Sequence, residues 1–488
     1  MDLHKLIVPN RGEIAVRIAR ACREAGIVSV LAHADGDDTR FTRRFFDETI
    51  SLGPSYLDVN RVIDAARASG ADALHPGYGF LSERAELAAA CEDAGIVFVG
   101  PKAKSIAAMG SKAESRHLMQ KLGVPVVPGY DGEEQSMDAV LREAEHVGFP
   151  LLVKASAGGG GKGMKIVRAT HELQPAIESA KREAMKAFGD DRLLLERYIE
   201  EPRHVEFQIL GDAHGNIVHL FERDCSLQRR HQKVVEESPA PRYSDELRQR
   251  MAKAAVAAAA GVEYRSAGTV EFIVTPEGEF YFLEMNTRLQ VEHPITELVV
   301  DVDLVRAQLD VAAGKPLPWS DLRQRGHAIE VRVYAEDPDD RFLPQSGTIA
   351  AYSEPSGPGV RVDAGVTRGT EIGLRFDPML AKLICYAPDR DTAIDRTARA
   401  LRDYVILGTK TNVSWLRRVV THPAFREGLV STRFLEQHSF APQADERAPE
   451  IARLIAASGG QAILPVQDRR DRLSSTRGPW ESLGNWGR

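Results

Sequence analysis

Two glutamates and an asparagine within one short stretch carry the sharpest chemical signal in this sequence. Residues 269–275 read as a strand, 276–279 as a four-residue loop and 280–286 as the returning strand. With Thr275 facing Phe280, Glu271 stands opposite Glu284. Like charges so placed cost ~0.2–1 kcal/mol on an exposed sheet, and more among aromatic neighbours. A divalent cation turns that cost into binding. Asn286, two residues beyond Glu284, shares its face and adds a further oxygen. Oxygen-only donors suit Mg²⁺ or Mn²⁺ bridging to nucleotide phosphates. The plain counterpart is a pair of solvated strand glutamates.

The next residues are Thr287-Arg288-Leu289-Gln290-Val291-Glu292-His293-Pro294. The Arg288 fork suits a planar oxyanion, and Glu292, four residues on, can act as a general base beside it. Without the neighbouring hairpin, an ordinary loop ion pair would be the simpler reading. Upstream, Lys154-Ala-Ser-Ala-Gly-Gly-Gly-Gly-Lys162-Gly-Met-Lys165 joins lysines to glycines whose N–H groups can approach phosphate oxygens. It departs from GxxxxGK[ST], so it is not a Walker A loop, and a flexible hairpin tip has the same composition. Gln228-Arg-Arg-His-Gln-Lys233 is the densest basic cluster. Lacking stacking aromatics it argues poorly for nucleic acid, which leaves a solvated turn or a phosphate or carbonate site. Residues 75–83, HPGYGFLSE, follow a strand end, where α/β sheets open ligand crevices; a glycine-dependent structural turn fits equally.

The surrounding pattern supplies a scaffold. Residues 6–8 and 28–31 read as buried strands, with helical spacing from Gly12 through Ile14, Ile18 and Cys22. Helix-like stretches 62–68 and 85–92 lead to extended stretches 73–75 and 97–99, which predicts a parallel, doubly wound sheet to about Gly110. A helix follows over 112–122. Residues 149–154 and 164–167 form the arms of a mobile, hairpin-like glycine loop. Residues 204–210, 217–222 and 269–274 alternate like antiparallel strands, 326–437 are mixed, and periodicity ends at Ala441. The 488 residues allow roughly three domains. With 43% hydrophobic and 27% charged residues, the composition excludes disorder, collagen and fibres. A net charge of −7 gives no overall basic field for nucleic acid or anionic membrane, so any anion site must be local. Cys22, Cys91, Cys225 and Cys385 lie far apart without a CxxC pair, against disulfides or thiolate zinc and for a reducing compartment. The start lacks a secretory signal pattern, and the apolar run 254–262 is too short to span a bilayer. A cytoplasmic location is expected.

VPNRGEIAVRI, HPGYGFLSE, KASAGGGGKGMK, RHVEFQIL, ERDCSLQRRHQKVVEE, EMNTRLQVEHPITE and FDPMLAKLI, in that order over residues 1–437, resemble biotin carboxylase. This is the ATP-grasp component of biotin-dependent carboxylases. The resemblance implies an α/β and α+β chain: a Rossmann-like domain at 1–111 and an ATP-grasp domain at 112–325 with a glycine-rich lid at about 130–203. A C-terminal biotin carboxylase domain at 326–440 and a tail at 441–488 complete it. The implied reaction carboxylates a biotinyl carrier using ATP and bicarbonate, through carboxyphosphate. By motif, Lys112, Lys154 and His204 contact ATP, Gly160 and Gly161 close over its phosphates, and Glu196, Arg197, Tyr198 and Ile199 hold the adenine. Gln228 and His231 match further nucleotide contacts. Glu271, Glu284 and Asn286 match ligands of Mg²⁺ or Mn²⁺. Arg288, Gln290 and Val291 match the bicarbonate site, with Lys233 beside it and Glu292 as base. Arg332 matches the group that stabilises the biotin enolate. Within the adenine segment Arg197 stands where lysine is common; Pro9 replaces a small residue and residues 35–46 form an atypical loop, both away from the chemistry.

Two other readings remain: another ATP-grasp ligase, such as a carbamoyl-phosphate or amino-acid ligase, and a non-catalytic nucleotide-binding subunit. Arg288 with Glu292 and Arg332 speaks against the first, the intact set of lysines and carboxylates against the second. No Ala/Val-Met-Lys-Met biotin acceptor occurs; Ala184-Met185-Lys186 lies in a helix-like run. Residues 477–488 resemble the stretch leading toward the carrier part of fused acyl-CoA carboxylase chains. The expectation is therefore biotin supplied in trans by a carboxyl carrier domain, with a carboxyltransferase as further partner. The resemblance also allows a homodimer.

Overall fold

A computed structural model describes residues 2–155, 164–188, 190–230, 232–319 and 321–441, with side chains at all of these but 112, 113, 187 and 188. Leu6, Ile7 and Val8 point alternately to two apolar layers. Leu6 and Val8 pack with Ile14, Ile18 and Cys22 of the helix Gly12–Ala25, while Ile7 packs with Val62 and Leu87 from the helices Val59–Ser69 and Ala85–Asp93. Covered on both faces, the strands can be continuously apolar, as parallel sheets require. The sheet runs Glu48–Ser51, Val28–His33, Lys5–Val8, Ala73–Leu74, Val97–Phe98, all parallel, which is the expected doubly wound arrangement. Its edge strand Glu48–Ser51 is polar and largely exposed, so no hydrophobic alternation announces it.

Eight antiparallel strands make the main sheet. In spatial order they are Phe280–Asn286, Ser266–Val274, Arg203–Gly211, Ile217–Arg229, Gln232–Ser238, His327–Tyr334, Met379–Ala387 and Val360–Ala364. Pairing of Gln232–Ser238 with His327–Tyr334 carries the sheet across the 325/326 boundary expected from sequence. The helix Asp245–Gly261 lays Ala255, Ala258 and Ala259 against Phe207, Val270 and Phe272, which gives the small-apolar run its packing role. Among the described residues no helix is long and apolar enough to cross a membrane. A smaller sheet orders Gly129–Tyr130, Leu193–Arg197, Leu151–Ala155 and Lys165–Val167. Leu151–Ala155 and Lys165–Val167 are antiparallel, as the hairpin reading requires; the glycine run between them lies outside the described residues.

Glu237 pins the middle of the main sheet. Its buried carboxylate accepts from His327 Nε2 at 2.8 Å and from Arg390 Nε and Nη2 at 2.7 and 3.0 Å. Burial pushes this carboxyl up, and His327 and Arg390 outweigh it, drawing the pKa from the ordinary 4.5 down to about 2. A depressed carboxyl stabilises the fold above its unfolded value and loses that contribution as pH falls from 4.5 toward 2. Glu237→Gln is therefore expected to cost about 3 kcal/mol at pH 7, with the gap to the unaltered protein narrowing below pH 4.5. Urea unfolding at pH 7 and pH 3 measures this, and a constant gap would assign the effect to packing alone.

Candidate active site

Register builds the site. Glu284, Glu271, Glu206 and Arg223 are successive Cα partners across four adjacent strands, so they form one transverse row on one face of the main sheet. The expected pairing of Glu271 with Glu284 is present, though by a different route. Val274, not Thr275, faces Phe280, and the loop has five residues rather than four. Thr275 instead closes the turn through its N–H to the Glu279 carbonyl. A register shift leaves Leu283 unpaired, and this bulge brings Glu284 back opposite Glu271.

Lys233 fills the space above the row. Its Nζ donates to Glu206 Oε2 at 2.5 Å, Glu292 Oε1 at 2.7 Å and Glu271 Oε1 at 2.9 Å. Burial alone would depress this ammonium, but Cys225 and the three carboxylates around it hold its pKa well above the ordinary value. The basic cluster thus divides. Gln228 and Arg229 end one strand, Gln232 and Lys233 begin the next, Arg229 pairs with Glu336, and Lys233 is no solvated turn residue. His231 lies outside the described residues. His204 Nε2 is 2.7 Å from Glu271 Oε2, and its Nδ1 is 3.5 Å from Gln228 Nε2.

Glu292 is fully buried at the start of the helix His293–Val300. Its second oxygen accepts from Arg332 Nη2 at 3.1 Å, while Arg332 Nε donates to Glu236 at 2.6 Å. Burial pushes the Glu292 carboxyl up, but Lys233, Arg332 and Arg223 overcome this and hold it well below the usual range. Arg288 is fastened at several points: Nε to Glu83 Oε2 at 2.9 Å, Nη1 to Gln290 Oε1 at 3.0 Å and Nη2 to Asn286 Oδ1 at 3.2 Å. Gln290 Nε2 is a buried donor without a hydrogen-bond partner among the described residues, and it lies beside this cationic fork. A small oxyanion meets the chemistry of that pair.

Glu271, Glu284 and Asn286 fit a hard divalent cation. Two carboxylates stand in register, and Asn286, whose Nδ2 donates to Glu271 Oε1 at 2.8 Å, adds an amide oxygen. His204, Glu206 and Glu271 also bring donor atoms within 4.8 Å of one another. Lys233 lies among them, so that mixed set is an ion-pair cluster. The remaining expected residues form a separate group on the smaller sheet. Lys154 Nζ donates to Glu196 Oε2 at 2.5 Å, and Arg116 Nη1 lies 3.6 Å from Glu196 Oε1. Arg197 is exposed, whereas Tyr198 and Ile199 are half-buried beside it. Gly160, Gly161 and the Lys112 side chain lie outside the described residues.

Sequence reading missed Glu206, Arg223, Glu236 and Glu83. Period-two alternation held a signal for the first: in His204-Val-Glu-Phe-Gln-Ile209, polar residues occupy one whole face of a fully buried strand. Arg223, also fully buried, is recruited by Glu206 Oε1 at 2.6 Å, Gln208, Thr269 and Thr296. Glu83, in the HPGYGFLSE segment, reaches Arg288 across 205 residues of chain, a pairing no local pattern reveals.

Three family profiles match the chain: "Biotin carboxylase, N-terminal domain" at 2–106, "Carbamoyl-phosphate synthase L chain, ATP binding domain" at 111–320, and "Biotin carboxylase C-terminal domain" at 330–437. The chain is 47% identical to the mitochondrial methylcrotonoyl-CoA carboxylase subunit alpha of Dictyostelium discoideum, over 99% of this chain and 70% of that one. It spans only 62% of the mouse relative of the same name. To the biotin carboxylase of Nostoc sp. it is 46% identical, over 90% of this chain and 99% of that one. Among solved structures, the biotin carboxylase domain dimer of Hydrogenobacter thermophilus 2-oxoglutarate carboxylase, in complex with MgADP, ADP and bicarbonate, superposes with a TM-score of 0.84. It is 45% identical, and the match covers 91% of this chain and all of that one.

The ion cluster makes a stability prediction. Removing one partner from a buried pair leaves an uncompensated charge, which costs about 3–5 kcal/mol. Arg223→Met is expected to lose that much in urea unfolding, and the Arg223→Met/Glu206→Gln double variant to recover part of it.

Proposed function

The chain belongs to the biotin carboxylase family of ATP-grasp ligases, and from this premise we propose that it carboxylates biotin on a carrier protein. ATP, bicarbonate and biotinyl carrier go to ADP, phosphate and carboxybiotinyl carrier. The observation that carries the reading is the buried Glu292 carboxylate, held by Lys233 and Arg332 next to the Arg288–Gln290 anion corner. Bicarbonate is a poor nucleophile until deprotonated, and Glu292 is the base for that step. Caged as it is, Glu292 is ionised and weak. Bicarbonate held in the corner by Arg288 competes with Glu292 for Lys233, and the contact it takes from Lys233 returns basicity to Glu292. Base strength thus rises with substrate binding. The deprotonated bicarbonate attacks the γ-phosphorus of ATP, which Lys154 and His204 help to orient. Carboxyphosphate then gives CO₂ and phosphate, the phosphate removes the biotin N–H proton, and Arg332 stabilises the enolate.

Glu271, Glu284 and Asn286 would hold Mg²⁺ or Mn²⁺, which when bound offsets charge on the transferring phosphoryl group. The segment Glu196 to Ile199 holds the adenine, with Lys112, Gln228 and His231 as further nucleotide contacts and Gly160 and Gly161 over the phosphates. We keep the division into 1–111, 112–325, 326–440 and 441–488. The partners are those the family resemblance implies, a biotin carboxyl carrier domain and the carboxyltransferase of an acyl-CoA carboxylase; the dimer named for the Hydrogenobacter thermophilus structure supports a second copy of this chain as a mate. Four buried free thiols support a reducing, cytoplasmic setting.

ADP release, measured with and without bicarbonate and with and without biotin, tests the reading; release that ignores both additions would refute it. Glu292→Gln is expected to lower bicarbonate-dependent ADP release by ~10²-fold or more while nucleotide still binds. Near-normal turnover would remove Glu292 from its role. Arg332→Ala should lose carboxyl transfer to biotin more than bicarbonate-dependent ADP release. Equal loss would place Arg332 in the bicarbonate or phosphate site instead.

A further inference from the structure

Two motifs singled out in the sequence, VPNRGEIAVRI and FDPMLAKLI, have no task in the chemistry above. Their buried charges meet. Glu13, from the first turn of the helix Gly12–Ala25, places Oε2 3.3 Å from the Nζ of Lys382, and both side chains are almost wholly inaccessible. Asp363 lies on the other side of Lys382, at 4.0 Å, and is itself clamped by Arg361 at 3.0 and 2.7 Å. Lys382 donates to one further group, the backbone carbonyl of Val291, at 2.8 Å.

Sheet register explains why this contact matters. Lys382 is the direct Cα partner of Arg332 on one side and of Asp363 on the other. Arg332 holds the carboxylate of Glu292, and Lys382 holds the carbonyl of Val291. Two facing cations of adjacent strands therefore grip two consecutive residues of the loop that carries Arg288 and Gln290. The grip is backed by a close approach of main chains: a Cβ at Gly365 would lie 2.5 Å from Gly12 Cα and 2.6 Å from Glu13 N, so the start of the helix is docked against the far strand. Burying an ammonium is costly unless it is paired and hydrogen-bonded. Here the Nζ meets one carbonyl and two carboxylates drawn from three separate parts of the chain.

We propose that Lys382, seated by Glu13 and Asp363, is a positioning residue that fixes the Val291 carbonyl and thereby aims Arg288, Gln290 and Glu292 at bicarbonate. The proposal rests on the biotin carboxylase reading and adds a residue to it. A staple that only held the domains together would change stability, and any loss of activity would fall on both co-substrates alike. A positioning residue separates them.

The test is steady-state ADP release by the full chain with free biotin, varying bicarbonate and ATP separately, alongside thermal melting. Lys382→Met is expected to raise the KM for bicarbonate about tenfold or more while the KM for ATP stays within about twofold. Glu13→Gln, which leaves Lys382 in place, should shift the bicarbonate KM in the same direction by about threefold. Equal movement of both KM values, or movement of neither, in folded Lys382→Met overturns the proposal. If Lys382→Met does not fold, Glu13→Gln decides, and an unchanged bicarbonate KM overturns it. Absence of bicarbonate-dependent ADP release in the unaltered protein is a different failure: it removes the functional reading, and this inference with it.

Discussion

One ammonium group, that of Lys233, allows two buried glutamates on neighbouring strands and a third at a helix start to crowd around one point. Glu206, Glu271 and Glu292 each place an oxygen within 2.9 Å of its Nζ. Without it, carboxylates on neighbouring strands would repel in a low-dielectric interior, and either the strands would separate or the carboxyls would protonate. Arg223 and Arg332 extend the compensation to either side, through Glu206 and Glu236. The cluster is therefore one interlocked object, and the geometry of the proposed base, metal ligands and enolate-stabilising arginine depends on its remaining intact.

Such a cluster is a poor means of gaining stability. Well-packed apolar residues of the same volume are often as stabilising as a buried ion network, or more so. What it provides is a set of charges that can be redistributed without leaving any of them unpaired. Glu292 shares Lys233 with two other carboxylates, and Arg332 with Glu236, so an arriving anion finds cations that are already multiply engaged. Transferring one contact from Glu292 to substrate strands no charge, which keeps the exchange inexpensive.

Legibility in the sequence followed the range of the interaction. The parallel sheet was readable because Leu6, Ile7 and Val8 are apolar on both faces, and the Glu271–Glu284 pairing because a hairpin is local. Even there, two errors cancelled: a longer loop and a bulge at Leu283 restored a register that simple counting had reached by another path. The cluster holding Lys233 could be read as a solvated basic turn or as an anion site, because composition cannot tell which end of a hairpin re-enters the core. Glu83, Glu236 and Lys382 were invisible for a different reason. Each acts on a residue many positions away, and only tertiary register brings them together. The resemblance named Arg332 and Glu292, but not that they touch.

The site is also divided in a way that bears on how the reaction is kept from water. Lys154 and Glu196 satisfy each other on the four-stranded sheet, while Lys233 and its carboxylates satisfy one another on the eight-stranded sheet. The charges of each half are thus paired within that half. In the proposed reaction, a nucleotide with its adenine along residues 196–199 and its γ-phosphate at the Glu271 row would join them. Until then no phosphoryl group would stand near Glu292, and the proposed base would have nothing to activate bicarbonate against. A short-lived carboxyphosphate would then form only in a site already bridged, where positioning and the exclusion of water favour transfer to biotin over hydrolysis.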